Sequence, residues 1–203
     1  MESHQPIIDR RIIRTREVIY ETFISLLSET EFSRISIKDI TNQANISRST
    51  FYAHYQDKYD WLDKTVQEKL SELKECLRVS KPNLGNDQSS LEMADPYYES
   101  FFENIATNQK FYHTMFTKIK SEEFLQKLYK VIREDLYHRI SSMNKKQSLL
   151  VPLDILLDSS SSSIIGITKV WVEKNMIYSP HYMALQLTRL AIGSLYRAMG
   201  KVN

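Results

Sequence analysis

The chain of 203 residues is 42% hydrophobic and 26% charged, which is typical of a soluble globular protein with one ample core or two modest domains. It contains only 4 Gly and 5 Pro and shows no strand-like alternation of any length, so the sequence predicts an all-α fold. One cysteine excludes an internal disulfide and the cysteine-rich metal motifs, and it favours a reducing, cytoplasmic location. No stretch reaches the ~20 apolar residues of a membrane span, and the N-terminal residues lack the apolar region of a signal peptide.

The first predicted helix covers residues 9–29 and carries arginines at its N-terminal end. Its apolar stripe should cover the back of the helices that follow and complete a three-helix unit. Residues 1–58 contain eight Lys or Arg and eight acidic residues, so their net charge is zero. Segregated arginines favour a few phosphate contacts from one edge and exclude a broad basic surface. The stripe consists of Ile12, Ile19, Phe23, Leu26 and Leu27, and the arginines are Arg10, Arg11, Arg14 and Arg16.

Two short helices are predicted between residues 36 and 55, after a connection at residues 31–35. Ser36 and Asp39 have the spacing of a capping box, which begins the first of these helices. Asn45 falls between the two helices, where the chain turns sharply and a residue that tolerates a left-handed backbone is favoured. Ser47 can cap the second helix. This arrangement is typical of a helix-turn-helix.

The second helix of this pair has two chemically different faces. Phe51 and Tyr55 are four residues apart and should point into the core of the unit. Arg48, Ser49 and Tyr52 share the opposite face, because their spacings of three and four residues match the helix period. A helix with aromatic residues inside and Arg, Ser and Tyr outside suits insertion into the major groove of DNA.

The stretch at residues 37–61 resembles the DNA-binding domain of the TetR family of bacterial transcription regulators. The match is in register over this stretch, which lies within the first third of the chain. The family usually has Ala, Gly and Phe where this chain has Thr41, Asn45 and Tyr55, and each of these changes is chemically mild. The matching segments are DIT at 39–41, NIS at 45–47, TFYAHY at 50–55 and KYDWL at 58–62.

The resemblance implies which residues contact DNA. Arg48 and Ser49 occupy the positions of base readers, and arginine can bind guanine through two hydrogen bonds. Ser36 and Thr41 would hold phosphate from the preceding helix. The remaining expected contacts, to phosphates or flanking bases, come from Ser47, Thr50, Tyr52, His54 and Lys58.

Two domains follow from this resemblance: a helix-turn-helix DNA-binding domain at residues 1–56 and a larger helical ligand-binding and dimerisation domain at residues 57–203. A second capping pattern, at Asp57 and Asp60, begins a long linking helix over residues 57–79. Pro, Gly, Asn and Asp residues predict a loop over residues 80–94. In the family the linking helix joins the two domains, so a tilt at one end is transmitted to the other.

The middle of the chain is rich in aromatic residues. Asp95 and Pro96 predict the start of a helix, a shorter helix follows Asn108, and another runs from Ser121 to about residue 143. Apolar effectors bind in pockets lined by such side chains, although the same residues can simply pack the core of the domain. The candidate pocket residues are Tyr98, Phe101, Phe102, Phe111, Tyr112, Met115 and Phe116.

Two last helices are predicted at about residues 152–174 and 180–199. The first contains five consecutive serines at 159–163, and the apolar residues on both sides of them favour continuous helix over a flexible linker. The stretches at 97–116 and 166–180 resemble a C-terminal regulatory domain common among TetR-like regulators of Gram-positive bacteria. The TetR resemblance implies that these last two helices form a four-helix interface in a homodimer.

The sequence therefore predicts a TetR-like regulator, a homodimeric repressor that binds a pseudo-palindromic operator in double-stranded DNA and is released by an effector. One alternative keeps the fold but makes the chain a DNA-bound activator or co-regulator controlled by a protein partner. Another is an all-α ligand-binding or adaptor protein without DNA binding. The chain has no nucleophile elbow, Gly-rich phosphate loop or paired Cys or His cluster, so we expect no catalysis, no metal and no cofactor.

Overall fold

The computed structural model describes residues 10–79, 92–143, 149–192 and 194. Within these ranges every regular element is a helix, which confirms the predicted all-α class. The chain divides into two compact units, Met1–Thr65 and Val66–Asn203. None of the helices in the described ranges is both long enough and apolar enough to cross a membrane.

In the described residues, the first unit is built from three α-helices, a short 3₁₀ helix and the beginning of a fourth α-helix. Ser36 and Asp39 form the predicted capping box, and Asn45 adopts the predicted left-handed conformation, with φ of 52°. The Asp57 carboxylate accepts hydrogen bonds from the backbone N–H groups of Tyr59 and Asp60 at the start of the long helix, as its capping pattern predicts. The elements are α1 (Arg10–Glu29), a 3₁₀ helix (Phe32–Arg34), α2 (Ile37–Gln43), α3 (Arg48–Tyr52) and the first part of α4 (Lys58–Val79).

The core of the first unit is centred on two stacked aromatic rings. Phe23 of α1 and Trp61 of α4 lie with ring centroids 3.7 Å apart, and both side chains are at most 1% exposed. Because Trp61 is buried here, the first unit extends through Thr65, whereas the sequence placed the domain boundary after residue 56. The predicted α1 stripe is only partly right, because Ile12 is 41% exposed. Helical periodicity identifies a face, but it does not tell how far along the helix a neighbour covers that face.

The second unit contains the remaining helices. The predicted caps at Asp95 and Ser179 each accept a hydrogen bond from the first turn of the helix that follows. The helix predicted after Asn108 continues into a π-helix (Thr114–Ile119), which the sequence pattern does not distinguish from an α-helix. The α-helices are the rest of α4, then α5 (Pro96–Thr107), α6 (Gln109–His113), α7 (Glu122–Met143), α8 (Leu153–Glu173) and α9 (Pro180–Ala191).

Polar contacts tie the helices of the second unit together. The Asp95 N–H donates to the Thr188 hydroxyl of α9 at 2.8 Å, and the Asp95 carboxylate is paired with Arg139 of α7. Asp158 of α8 accepts hydrogen bonds from Tyr129 and Arg133 of α7 at 2.7 and 2.6 Å. The serine run at 159–163 is helical, as predicted. Most of the predicted loop at 80–94, and the predicted continuation of the last helix to residue 199, lie outside the described residues.

Candidate functional site

The start of α2 holds two residues that the sequence assigned to phosphate contacts. Ser36 is exposed, and its hydroxyl accepts a hydrogen bond from the Asp39 N–H at 3.2 Å, while its own N–H donates to the Asp39 carboxylate at 2.9 Å. The Ser36 hydroxyl also donates to the Asp39 carboxylate at 2.7 Å, and this bond, together with the one from the Ser36 N–H, holds the pKa of the Asp39 carboxyl below its usual range. Thr41 is buried, with 4% of its surface exposed, and its hydroxyl donates to the Lys38 carbonyl. The structure therefore corrects the expectation for Thr41, which does not reach the surface as a phosphate contact requires.

A cluster of three hydroxyl groups lies at the start of α3. The Thr50 N–H donates to the Ser47 side-chain oxygen at 3.0 Å, which confirms Ser47 as the helix cap. The hydroxyls of Ser49 and Thr50 each lie 2.8 Å from that of Ser47. Because the three side chains hold one another, the polar end of α3 has a defined geometry before any ligand arrives.

The two faces of α3 are as different in the structure as in the sequence. Phe51 is fully buried and Tyr55 is 6% exposed, so the aromatic face anchors α3 to its unit. Arg48 and Ser49 are exposed, and Tyr52 is 55% exposed. The Tyr52 ring packs edge-on against Phe51 with centroids 5.8 Å apart, which fixes the base of its side chain. The helix thus presents arginine, serine and tyrosine from one rigid face.

His54 follows α3 and is half-buried. Burial, with a smaller contribution from the positive charge of Arg16, lowers the pKa of the imidazole from its ordinary 6.5. The neutral form therefore dominates at neutral pH, where His54 can donate or accept a hydrogen bond but carries no charge. Arg16 of α1 is close enough to act on His54 electrostatically. In the sequence, Arg16 was noted only as one of the arginines clustered in α1.

Two further arginines of α1 lie beside the turn between α2 and α3. Arg11 and Arg14 form one side of a shallow concavity of about 300 Å³, and Ala44 and Ile46 of the turn form the other. The predicted basic edge is therefore adjacent to the helix-turn-helix, within the same unit. This position suits contacts with a polyanion that reaches α3.

Lys58 has a different environment from the one the sequence suggested. Its Nζ atom donates hydrogen bonds to the backbone carbonyls of Phe32, Ser33 and Ile35 at 2.8, 2.9 and 2.9 Å. It also lies 5.0 Å from the centre of the Phe32 ring. An ammonium group has three donors, and these carbonyls use all of them. Lys58 therefore fixes the connection between α1 and α2, and this geometry opposes the predicted DNA contact.

The seven aromatic and Met residues that the sequence proposed for a ligand pocket share one environment in the second unit. All are at most 3% exposed, and most of the aromatic pairs pack edge-to-face, for example Phe101 on Phe102 and Phe102 on Trp171, both with centroids 5.2 Å apart. The structure places them in core packing, the alternative that the sequence left open. The group consists of Tyr98, Phe101, Phe102, Phe111, Tyr112, Met115 and Phe116.

A helix-turn-helix with an exposed polar face on α3, followed by a larger helical unit, is the arrangement typical of a helix-turn-helix transcriptional regulator. Residues 92–193 match the TetR family model described as "Transcriptional regulator C-terminal region". The chain belongs to the TetR family of transcriptional regulators.

Named relatives agree with this assignment. The chain is 24% identical over 194 residues to the uncharacterized HTH-type transcriptional regulator YxbF of Bacillus subtilis (strain 168), and the match covers 95% of this chain and 48% of YxbF. The chain thus spans about half the length of that relative. The structure of a TetR transcriptional regulator from Streptococcus agalactiae 2603V is 26% identical, with a TM-score of 0.61 over 90% of this chain and 96% of that one. The dihydroxyacetone kinase operon activator DhaS has a similar fold, with 20% identity and a TM-score of 0.64 over 92% and 98% of the two chains.

Proposed function

We propose that this chain is a repressor that binds a pseudo-palindromic DNA operator as a homodimer and is released by an effector. The observation that carries the proposal is the exposed face of α3, where Arg48, Ser49 and Tyr52 stand on a helix anchored by buried Phe51. In each subunit α3 would enter the major groove. Two such helices related by a two-fold axis would lie about one DNA turn, ~34 Å, apart.

Within this proposal, the residues of this face have different roles. Arg48 would read a guanine through two hydrogen bonds, and Ser49 would contact a neighbouring base edge. Tyr52 and the neutral imidazole of His54 would donate to phosphates. The exposed cap of α2, Ser36, and the cap of α3, Ser47 with Thr50, would also approach phosphate, because backbone N–H groups at helix starts attract anions.

The proposed dimer rests on the exposed face of α8. Ile155, Ser159, Ser162, Gly166 and Val170 follow one another at spacings of three and four residues, so they lie along one side of the helix. Ile155 and Val170 are 56% and 48% exposed, and a Cβ atom added at Gly166 would meet nothing within 4 Å. A stripe of small side chains between exposed apolar ones lets a second helix approach closely. The same stripe on α8 of a second copy would cover these exposed apolar side chains.

α9 also carries exposed apolar side chains. Tyr182 and Leu190 are 44% and 57% exposed, at spacings that place them on one face of α9. Two copies of α8 and α9 would together form a four-helix interface, buried around these residues.

Effector release would act through α4, which contributes residues to both units. A ligand with higher affinity for one of two α4 positions would shift the population of the dimer towards that position. We propose that, in the ligand-bound form, the distance between the two recognition helices no longer matches the spacing of the two operator half-sites. One protein of similar fold is named an operon activator, so whether this chain represses or activates needs its own test.

DNA recognition is tested by selecting binding sites from random duplex DNA and measuring affinity by mobility shift over a salt series. Arg48→Ala should weaken binding to the selected site by about 1–3 kcal/mol and relax the preference at one base pair. Arg34→Ala is the matched control, because Arg34 belongs to the same unit, lies outside α3 and has a side chain 78% exposed. Equal losses in the two variants, or no selected sequence at all, would overturn the proposal.

The dimer is tested by sedimentation of the full chain. Gly166→Leu should dissociate it, because the larger side chain would fill the space that the second α8 needs. Gly166→Ala should leave the dimer nearly intact and serves as the control for the loss of glycine. A reporter gene placed under the selected operator then decides the sign, since a repressor lowers its expression and Arg48→Ala restores it.

A further inference from the structure

A charged cleft lies between α4, α5 and α7 of the second unit. Its volume is about 540 Å³, within the usual size range of sites for small molecules. Its walls include Lys74 and Arg78 of α4, Tyr97 of α5, and Asp135, His138 and Arg139 of α7. None of these residues belongs to the seven that the aromatic pattern suggested as a ligand pocket.

One side of the cleft is formed by a buried ion pair. Arg139 is buried and paired with Asp95, and its guanidinium lies 4.9 Å from the centre of the Tyr97 ring. Because its charge is balanced by Asp95, Arg139 serves as part of the wall. Asp95 is itself the cap of α5, so the pair also fixes where that helix begins.

The other side of the cleft carries cations that can change partners. Lys74 contacts Glu134 at 3.2 Å and Arg78 contacts Glu75 at 3.0 Å, and the four side chains are between 42% and 65% exposed. Ion pairs this exposed are weak, because water screens them and the long side chains lose freedom when they pair. A bound anion can therefore replace either glutamate at little cost. His138 is exposed beside them.

Two polar groups of the cleft wall, the Tyr97 hydroxyl and the Asp135 carboxyl, bear on what the cleft can bind. Tyr97 is 1% exposed, and no group in the described part of the chain forms a hydrogen bond with its hydroxyl. Buried hydroxyls usually have a partner, so an orphan one points to a ligand or a bound water. Burial raises the pKa of the Asp135 carboxyl even though Lys74, Arg78, His138 and Arg139 all face it. Tyr97 and Asp135 both line the cleft, so each residue lies next to a molecule bound there.

We infer that this cleft binds a small organic anion that also carries a hydroxyl or amino group. The carboxylate or phosphate of the ligand would contact Lys74, Arg78 and His138, and its hydrogen-bond donor would meet the Asp135 carboxylate next to the Tyr97 hydroxyl. This inference rests on the proposed function, because it names the chemical class of the effector. The donor is essential, since Asp135 repels an anion that brings none.

The class of ligand is tested by calorimetric titration of the full chain, without DNA, at constant ionic strength. Malate is compared with succinate, and glycerol 3-phosphate with propyl phosphate, because the members of each pair differ only in their hydroxyl groups. The hydroxylated member should bind about tenfold more tightly, the usual effect of one charge-assisted hydrogen bond. Tight binding of malate or of glycerol 3-phosphate tells whether the acidic group is carboxylate or phosphate. No binding of either would overturn the inference.

Variants then locate the site. Lys74→Gln and Arg78→Gln should each weaken binding of the hydroxylated probe by about tenfold. Lys130→Gln makes the same change at an exposed position of α7 outside the cleft, and its affinity should equal that of the unmodified chain. Asp135→Asn should abolish the preference for malate over succinate. Equal losses in Lys130→Gln and Arg78→Gln would show a general effect of charge and would contradict the assigned site.

The cleft and the proposed function can fail separately. Arg78→Gln should bind the selected operator as well as the unmodified chain does when no anion is present. If malate binds the cleft but random-sequence selection yields no DNA site, the proposed function falls and the cleft stands. If an operator is selected but neither hydroxylated anion binds, the cleft assignment falls and the DNA-binding regulator stands.

Discussion

The contacts of Lys58 allow a structural role to be separated from a DNA-binding role. Lys58→Met keeps most of the aliphatic chain but removes the ammonium group that holds the carbonyls of Phe32, Ser33 and Ile35. The connection between α1 and α2 then loses its link to α4. The change should therefore lower the stability of the first unit.

The size of the effect follows from the three hydrogen bonds. A hydrogen bond to a charged group contributes about 1.5–3 kcal/mol, but these three share one cation and the Ser33 region is exposed to water, so their effects are not additive. The nearby Phe32 ring, 5.0 Å from Nζ, adds up to about 1 kcal/mol at a partly exposed site. We expect the free energy of unfolding to fall by about 2–4 kcal/mol in total.

Urea denaturation followed by tryptophan fluorescence measures this change in the first unit. The chain has two tryptophans, and in a Trp171→Phe background the remaining one, Trp61, lies in the core of the first unit stacked on Phe23. Lys38→Met is the matched control, because Lys38 is an exposed lysine of α2. If Lys58→Met were as stable as this control but lowered the salt dependence of operator binding by about one phosphate contact, the sequence-based assignment to DNA would be right and the structural one wrong.

Three further predictions concern a turn and two titratable groups. Asn45 has a left-handed backbone, with φ of 52°. Asn45→Gly should leave the free energy of unfolding unchanged or raise it by up to about 1 kcal/mol, whereas Asn45→Val should lower it by about 1–2 kcal/mol. Equal stability of the two variants would contradict a strained turn. Burial lowers the pKa of His54 below 6.5, so its contribution to stability is complete above pH 6.5 and is lost as the pH falls towards the folded pKa. Between neutral and mildly acidic pH, the melting temperature of His54→Gln should therefore fall less than that of the unmodified chain. An equal fall in the two proteins would argue against this. Burial raises the pKa of Asp135 above 3.8, so its contribution to stability is present below pH 3.8 and is lost as the pH rises through the folded pKa. Asp135→Asn should therefore raise the melting temperature at neutral pH. A lower melting temperature would refute this interpretation.

The local features of the fold could be predicted from the sequence because their partners are close along the chain. The capping box of Ser36 joins residues three apart, and Ser47, Asp95 and Ser179 likewise cap with groups two or three residues away. The left-handed turn at Asn45 depends on one residue and its neighbours. The two faces of α3 could be predicted for the same reason, because helical spacing over a few residues places Arg48 opposite the buried aromatic rings. The structure of α3 is therefore encoded almost entirely within one stretch.

The roles that depend on distant residues had to wait for the tertiary structure. Lys58 finds carbonyls 23–26 residues earlier in the chain, a distance over which helical spacing carries no information. Core packing and a pocket wall require the same apolar side chains, so the aromatic pattern gave no way to choose between them for Phe101 and its neighbours. The charged cleft brings Arg78, Tyr97 and Asp135 together from three helices, and each looks ordinary on its own helix. Sequence spacing determines which way a side chain points, whereas the packing of helices decides what it meets.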